Sequence, residues 1–407
     1  MPVGIEKFQA YPCSMKLDLG DLAETRGVDR EYPTRDLLVR SRSVNPPWED
    51  PVTMAVNAAL RLVDEEDRKA IRLIVVGTES SLDFGKSIAV YVHRYCGIQP
   101  NCRAFETKHA CYSGTSALMM AAYWVAATGG RDGKALVVTT DQSRVHLGEP
   151  WEYVLGATAC AMLVSDQPDI LEIELDRCGY WTSESFDTFR PTSMTEVGNA
   201  DDSLYCYLDA LEGAFDDFQG NLDGASYDKF FSRHVYHVPF GKITEIAHRT
   251  LTRQGRRMKA SQMRESFERK VAASLSFTSE CGGTYSSSTA LGLLGHLASP
   301  SAPSPGERIS VFAFGSGSTA EFYSVVVGPH AQKAALKAEI TEQLSERSQL
   351  SVKQYEAVEG LRVETTDKQD FVVDRDGFDD LYQRSYKGHG RLVLDGVENW
   401  VRKYRVS

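Results

Sequence analysis

Three side chains suited to acyl chemistry stand where their neighbours could make them act. Cys111 lies in KHACYSGTSA, immediately before an apolar helical pattern. A thiol at a helix N-terminus feels the positive end of the helix dipole, which favours the thiolate, the nucleophilic form. Ser113, Gly114 and Thr115 are small enough to let a substrate chain approach that sulfur. The competing reading of Cys111 is a small buried apolar residue, the commonest fate of a free cysteine. Glu79 follows the apolar run IRLIVVG (71–77), and the C-terminal edge of a parallel strand is where α/β sheets place their ligands. His237 sits in RHVYHVPFGK, ahead of a proline that fixes the backbone, and histidine is the usual acid or base near neutral pH. Position alone would more often make Glu79 an exposed loop acid and His237 a core or surface histidine. Gly315, Ser316 and Gly317 end a further apolar run, where a turn can offer backbone N–H groups to an oxyanion. Small turns after strands are common, so that motif is weak by itself.

The elements that would carry these residues follow from patterning. Short β-rich apolar runs predict strands at 71–77, 134–140 (KALVVTT), 159–165 (ACAMLVS), 308–314 (RISVFAF) and 322–328 (FYSVVVG). VTMAVNAALRLV (52–63) reads as an amphipathic helix. TSALMMAAYWVAAT (115–128) is apolar on nearly every side, which predicts a helix buried on all faces. The order helix 115–128, strand 134–140, strand 159–165 recurs as helix 288–298, strand 308–314, strand 322–328. A small-residue turn, CYSGT or TYSSS, precedes each helix. This duplication predicts two related halves in a layered α/β sandwich: 1–170 with Glu79 and Cys111, and 171–407 with His237 and the GSGS turn. The tail from about 330 reads as one helix (AQKAALKAEITEQLSER), then YEAVEG, then a strand in GRLVLDGV, completing the second half.

Bulk properties narrow the class. A chain of 407 residues exceeds what one core usually serves, and 42% apolar with 25% charged residues is ordinary for a folded soluble protein. No apolar run approaches the ~20 residues of a membrane span. The N-terminus lacks the basic start and apolar core of a signal peptide. Eight cysteines without metal-type spacing read as free thiols in a reducing compartment, the cytoplasm. A net charge of −11 argues against nucleic acid. Two stretches are nonetheless basic, Arg35, Arg40 and Arg42, and Arg253, Arg256, Arg257 and Lys259; solvated surface is the ordinary reading of such runs.

VGTES, HACYSGT, YHVPFGK and FGSGSTAEFYS, in this order and spacing, resemble the signature set of the HMG-CoA synthases (HMG, 3-hydroxy-3-methylglutaryl). NPPWEDPVTMAVNAA (45–59), GATACAML (156–163), FDTFRP (186–191) and the terminal GVENWVRKYRV extend the resemblance over essentially the whole chain. It implies a thiolase-like duplicated α/β/α/β/α sandwich, a homodimer, and catalysis by Cys111 as acylated nucleophile, Glu79 as general acid/base and His237 at the acceptor. It also implies a substrate lining of Ser113, Gly114, Thr115, Phe189, Pro239, Lys242, Tyr285, Gly315, Ser316 and Gly317. No metal or separate cofactor is expected, since phosphopantetheine enters as part of the substrate. Elementary chemistry agrees: a thiolate takes acetyl from a thioester, a carboxylate removes a methyl proton, and an imidazole donor stabilises charge on the attacked ketone.

The chain departs from the family pattern in two places. The family's G-N-x-Y segment is here Gly282-Gly283-Thr284-Tyr285, with Gly283 at the Asn. After HVPFGK, Thr244, Glu245 and Ile246 stand where enzymes of primary metabolism tend to place lysines. Both departures favour the polyketide β-branching relatives, which take an acetyl-carrying and a 3-ketoacyl acyl carrier protein, over the mevalonate-pathway enzyme. A ketoacyl synthase III would want an Asn after its His, and a thiolase a second reactive Cys near the C-terminus. Cys281 is the last cysteine. A non-enzymatic scaffold fits poorly with all three catalytic positions intact.

Overall fold

A computed structural model describes residues 1–130, 133–253 and 258–407. Its main sheet has nine strands: β1 (Gly4–Tyr11), β2 (Ile71–Gly77), β3 (Arg103–Thr107), β4 (Lys134–Gln142), β5 (Ala157–Ser165), β6 (Leu171–Thr182), β7 (Arg233–Tyr236), β8 (Arg308–Gly315) and β9 (Thr319–Val327). They run in the order β7-β8-β9-β6-β1-β5-β4-β2-β3. The connectivity repeats. β1–β5 and β5–β4 are antiparallel and β4–β2 parallel; likewise β6–β9 and β9–β8 are antiparallel and β8–β7 parallel. The two sets touch edge to edge through a short antiparallel register, Gly4 with Glu172 and Ile5 with Leu171.

Alternation along each strand sorts side chains into layers, because successive residues of a strand point to opposite faces. Leu73, Val75, Val137, Ile309 and Val311 face a shared centre with α2 (Ser113–Thr128) and α5 (Ser288–Ala298). Ile74, Val76, Leu136 and Val138 face outward onto α1 (Pro51–Leu62). Phe312, Phe314 and Phe322 face the other way, onto α3 (Ala200–Phe218) and α4 (Ile243–Arg253). Helix, sheet, paired helices, sheet and helix therefore alternate in five layers.

Tertiary packing overrides three local expectations. The helix over 113–128 is not buried all round: Met120 is 51% and Tyr123 41% exposed, beside the unpaired edge of β3. Conversely α1, amphipathic by pattern, is buried along almost its whole length. The tail covers its outer side, and Asn57 exchanges hydrogen bonds of 3.1 and 2.7 Å with the backbone of Leu392. The tail therefore packs on the first half as well as the second, and Ser348–Leu350 pairs with Met15–Asp18. Its first helix breaks into Ala331–Lys337 and Ile340–Ser345, with Glu339 in the left-handed region between them.

Candidate active site

The C-terminal end of β2 meets the start of α2 at van der Waals limits. A Cβ on Gly77 would stand 2.4 Å from the Ser113 carbonyl oxygen, so only glycine lets the strand carrying Glu79 abut the helix that follows Cys111. Asp141 fastens the junction. Its Oδ1 accepts from Thr78 Oγ1 (3.0 Å) and the Glu79 N–H (2.9 Å), and its Oδ2 from the Ser286 N–H (3.0 Å) and hydroxyl. One buried carboxylate thus ties β2 and β4 to the turn before α5.

Cys111 sits in a tight turn whose preceding residue, Ala110, holds φ +41. A left-handed non-glycine residue is uncommon and survives where surroundings over-determine it. Here the Ser113 hydroxyl donates to the Ala110 carbonyl (2.6 Å) and accepts from the His109 N–H (2.8 Å). The resulting environment reverses the expectation of a ready thiolate. Loss of solvation, then Glu79, Asp141 and Glu196, push the Cys111 thiol well above its usual range. Burial, reinforced by these acidic neighbours, leaves the resting nucleophile as a thiol that must lose its proton as it attacks.

Glu79 is nearly buried and its carboxyl is pushed up to about 8, chiefly by lost solvation and secondarily by Asp141 and Glu196, against the pull of Arg190 and Arg144. Arg190 Nη2 lies 2.9 Å from Glu79 Oε1 and 3.4 Å from Glu196 Oε2, and Glu196 in turn sits 3.2 Å from His146 Nε2. His237 follows β7, anchored by its N–H on the Phe312 carbonyl (2.8 Å) and by the Tyr207 hydroxyl on its own carbonyl (2.9 Å). Its Nδ1 is 2.6 Å from Ser288 Oγ, and burial lowers the ring to about 3. His237 is therefore a neutral imidazole at working pH, a donor or acceptor rather than a cation.

A cavity of about 310 Å³ brings together Cys111, His237, Pro239, Tyr285 and Ser316 of the residues expected from sequence. His146, Trp151, Glu196, Ser203 and Tyr207 also line it, and nothing in their local pattern marks them. Arg190 and Asp141, equally unforeseen, stood inside or beside patterns already in view, FDTFRP and the end of β4. Other expected residues lie elsewhere. Ser113 and Thr115 are buried, and Gly114 packs against the Ser286 carbonyl. All three pack at the start of α2, outside the lining of this cavity. Phe189 is partly exposed against Phe186, and Lys242 is paired with Glu245 at 2.9 Å. Gly315 packs on the His109 carbonyl, and the Gly317 N–H is spent on Asp187 Oδ1 at 2.9 Å, so it is not free for an oxyanion.

Gly283 lines the cavity, but a Cβ there would meet the Val154 carbonyl oxygen at 2.5 Å and that of Pro239 at 3.0 Å. This backbone has no room for an asparagine. The basic stretches also resolve. Arg42 is buried on the Glu152 carbonyl, Tyr355 and Ser143; Arg35 pairs with Asp29 and Asp36, and Arg40 with Glu280. Arg253 and Lys259 are exposed, while Arg256 and Arg257 lie outside the described residues.

Comparison with known proteins matches residues 1–169 to the N-terminal and 247–403 to the C-terminal model of hydroxymethylglutaryl-coenzyme A synthase. The polyketide biosynthesis 3-hydroxy-3-methylglutaryl-ACP synthase PksG of Bacillus subtilis is 34% identical, over 99% of this chain and 98% of that one. Hydroxymethylglutaryl-CoA synthase of Enterococcus faecalis is 32% identical over the full length of both. The HMG synthase of the curacin biosynthetic pathway superimposes with a TM-score of 0.94 at 34% identity, covering all of both chains, and has also been solved with its acetyl donor-ACP.

Proposed function

The chain belongs to the hydroxymethylglutaryl-CoA synthase family, and from that premise we propose that it condenses carrier-bound acyl groups for β-branching in polyketide biosynthesis. The observation that carries this reading is the full-length match to the curacin synthase, a protein solved with an acetyl donor carrier. Two local features support it. Glu245 stands 2.9 Å from Lys242 and partly offsets the charge that the phosphates of coenzyme A would meet, and Gly283 leaves no space for the asparagine.

In the proposed route Cys111 Sγ attacks the acetyl thioester, its proton leaves to a neighbouring base, and the carrier departs as a free thiol. Glu79 then removes a proton from the methyl of acetyl-Cys111. The new carbon nucleophile adds to the 3-keto carbon of a 3-ketoacyl carrier thioester, while neutral His237 donates to the ketone oxygen as charge builds there. Water finally cleaves the Cys111 thioester, leaving a carboxylate product on the carrier and restoring the thiol. Phosphopantetheine arrives as part of the substrates. All eight cysteines are unpaired, in keeping with work in the reducing cytoplasm, and no helix among the described residues is long and apolar enough to cross a membrane.

The test compares donors. Acetylation of Cys111 is expected to run much faster from acetyl-carrier protein than from acetyl-CoA, and added salt to slow the carrier reaction more, because docking between charged surfaces is screened over about 8–10 Å. Comparable rates with no salt difference would favour the coenzyme A chemistry named for the Enterococcus relative.

A further inference from the structure

Glu79 must be a carboxylate when it takes the methyl proton, yet most of its surroundings oppose that charge. Lost solvation, Asp141 and Glu196 all raise its proton affinity, and Arg190 is the largest influence working the other way, ahead of Arg144. Arg190 is mounted by one end of its guanidinium: Nη1 donates to the Glu79 carbonyl (3.2 Å) and to Ser80 Oγ (3.3 Å), and the plane lies over the Tyr285 ring at 4.8 Å. The segment that carries it is itself pinned, since Asp187 accepts from Gly317 N–H and from the Ser185 and Ser203 hydroxyls.

The other end of the guanidinium is uncommitted. Nη2 stands beside both carboxylates, 2.9 Å from Glu79 and 3.4 Å from Glu196, yet neither Nη2 nor Nε has a hydrogen-bond partner. The contact with Glu79 is thus one of charge more than of directed hydrogen bonding. Glu196 competes for that charge and is itself contested by His146. The remaining groups facing Glu79 are less free to vary. Asp141 is saturated by Thr78, Glu79 and Ser286, and burial keeps Tyr285 protonated. Cys111 is uncharged once acetylated.

We propose that Arg190 is the positioning residue that favours the carboxylate form of Glu79 that condensation needs, and that Glu196, with His146, sets how much of its charge Glu79 receives. The proposal rests on Glu79 being the proton-abstracting base described above.

The deciding experiment is single-turnover condensation by enzyme pre-loaded with acetyl on Cys111, followed against pH. Arg190→Met is expected to move the acidic limb of the profile up by about one unit or more and to recover rate as pH rises. Arg190→Lys should lie between it and the native enzyme. Glu196→Gln removes the competitor and should move the limb down. If Arg190→Met fails to fold, Arg190→Lys carries the test, because Glu196→Gln would lower the limb through loss of its own charge whether or not Arg190 acts. Uniform loss at every pH, with the limb unmoved in each folded Arg190 variant, would make Arg190 a packing residue and overturn the proposal. The functional reading fails differently: Cys111 would not hold acetyl, or Glu79→Gln would condense at the native pace.

Discussion

At the scale of single residues, the site divides labour by environment. Burial first, and then the shared neighbours Asp141 and Glu196, raise the proton affinities of Cys111 and Glu79, whereas His237 is kept neutral by burial alone. The half-reactions should therefore separate on mutation. Cys111→Ala is expected to acquire no hydroxylamine-labile acetyl group, as read by the mass of the HACYSGT peptide. Glu79→Gln should retain acetylation while condensation falls by roughly 10²–10⁴-fold, the range for a general acid/base. His237→Ala should impair use of the 3-ketoacyl acceptor more than acetyl transfer, so equal damage to both steps would make it a structural histidine.

Between elements, close approach decides what can stand in the cavity. The isolated bridge between Leu155 and Gly283 draws the Gly283 N–H onto the Val154 carbonyl at 2.6 Å. Gly283→Asn, which restores the family's residue in name, is accordingly expected to cost about 1–3 kcal/mol, as overpacking does, with no gain in use of acetyl-CoA. Thermal unfolding alongside a coenzyme A assay checks both halves; an undisturbed melting temperature with faster turnover of acetyl-CoA would refute them. The three proposed catalytic residues are singled out by sequence because each sits in a short contiguous motif next to a strongly patterned strand or helix. The exposed side of α2 is not. Its pattern is uniformly apolar, and only the packing of the folded chain leaves Met120 and Tyr123 uncovered.

Over the whole molecule, that uncovered strip continues across Tyr180 and Trp181, with the Tyr123 hydroxyl 3.4 Å from that of Tyr180. An unpaired strand edge beside exposed apolar side chains is a surface that a partner normally covers. We propose a second copy of this chain as that partner. Light scattering is expected to give twice the 45.1 kDa chain mass, and Met120→Glu with Tyr123→Glu to give the monomer. A native monomer at assay concentration would contradict this. Acid stability is a second global property. Burial lowers His248 and His296 to about 4 and His234 well below its ordinary value. The unfolded chain then binds more protons, so their contribution is whole above about 6.5 and lost as pH falls towards 4. Glu79 and Glu321, raised to about 8 and 7, work in the opposite sense, giving stability at low pH that is lost as pH rises through those values. His248→Gln isolates one group: the native protein should lose more melting temperature than the variant between pH 7 and pH 5, and parallel curves would refute the assignment.

The sequence by itself determined five of the nine strands of the main sheet and the two central helices, and it singled out three candidates for the reaction centre. Period-two and helical patterns are local, and the nucleophile, acid and histidine motifs are contiguous. The charge state of those residues was decided only by tertiary structure. Asp141, Arg190 and Glu196 come from positions 62 or more residues along the chain from Glu79, and no pattern near Glu79 announces them. Folding brings them within ion-pair and hydrogen-bond range in a space from which most water is excluded. There, a few ångströms fix whether a thiol, a carboxyl or an imidazole holds its proton.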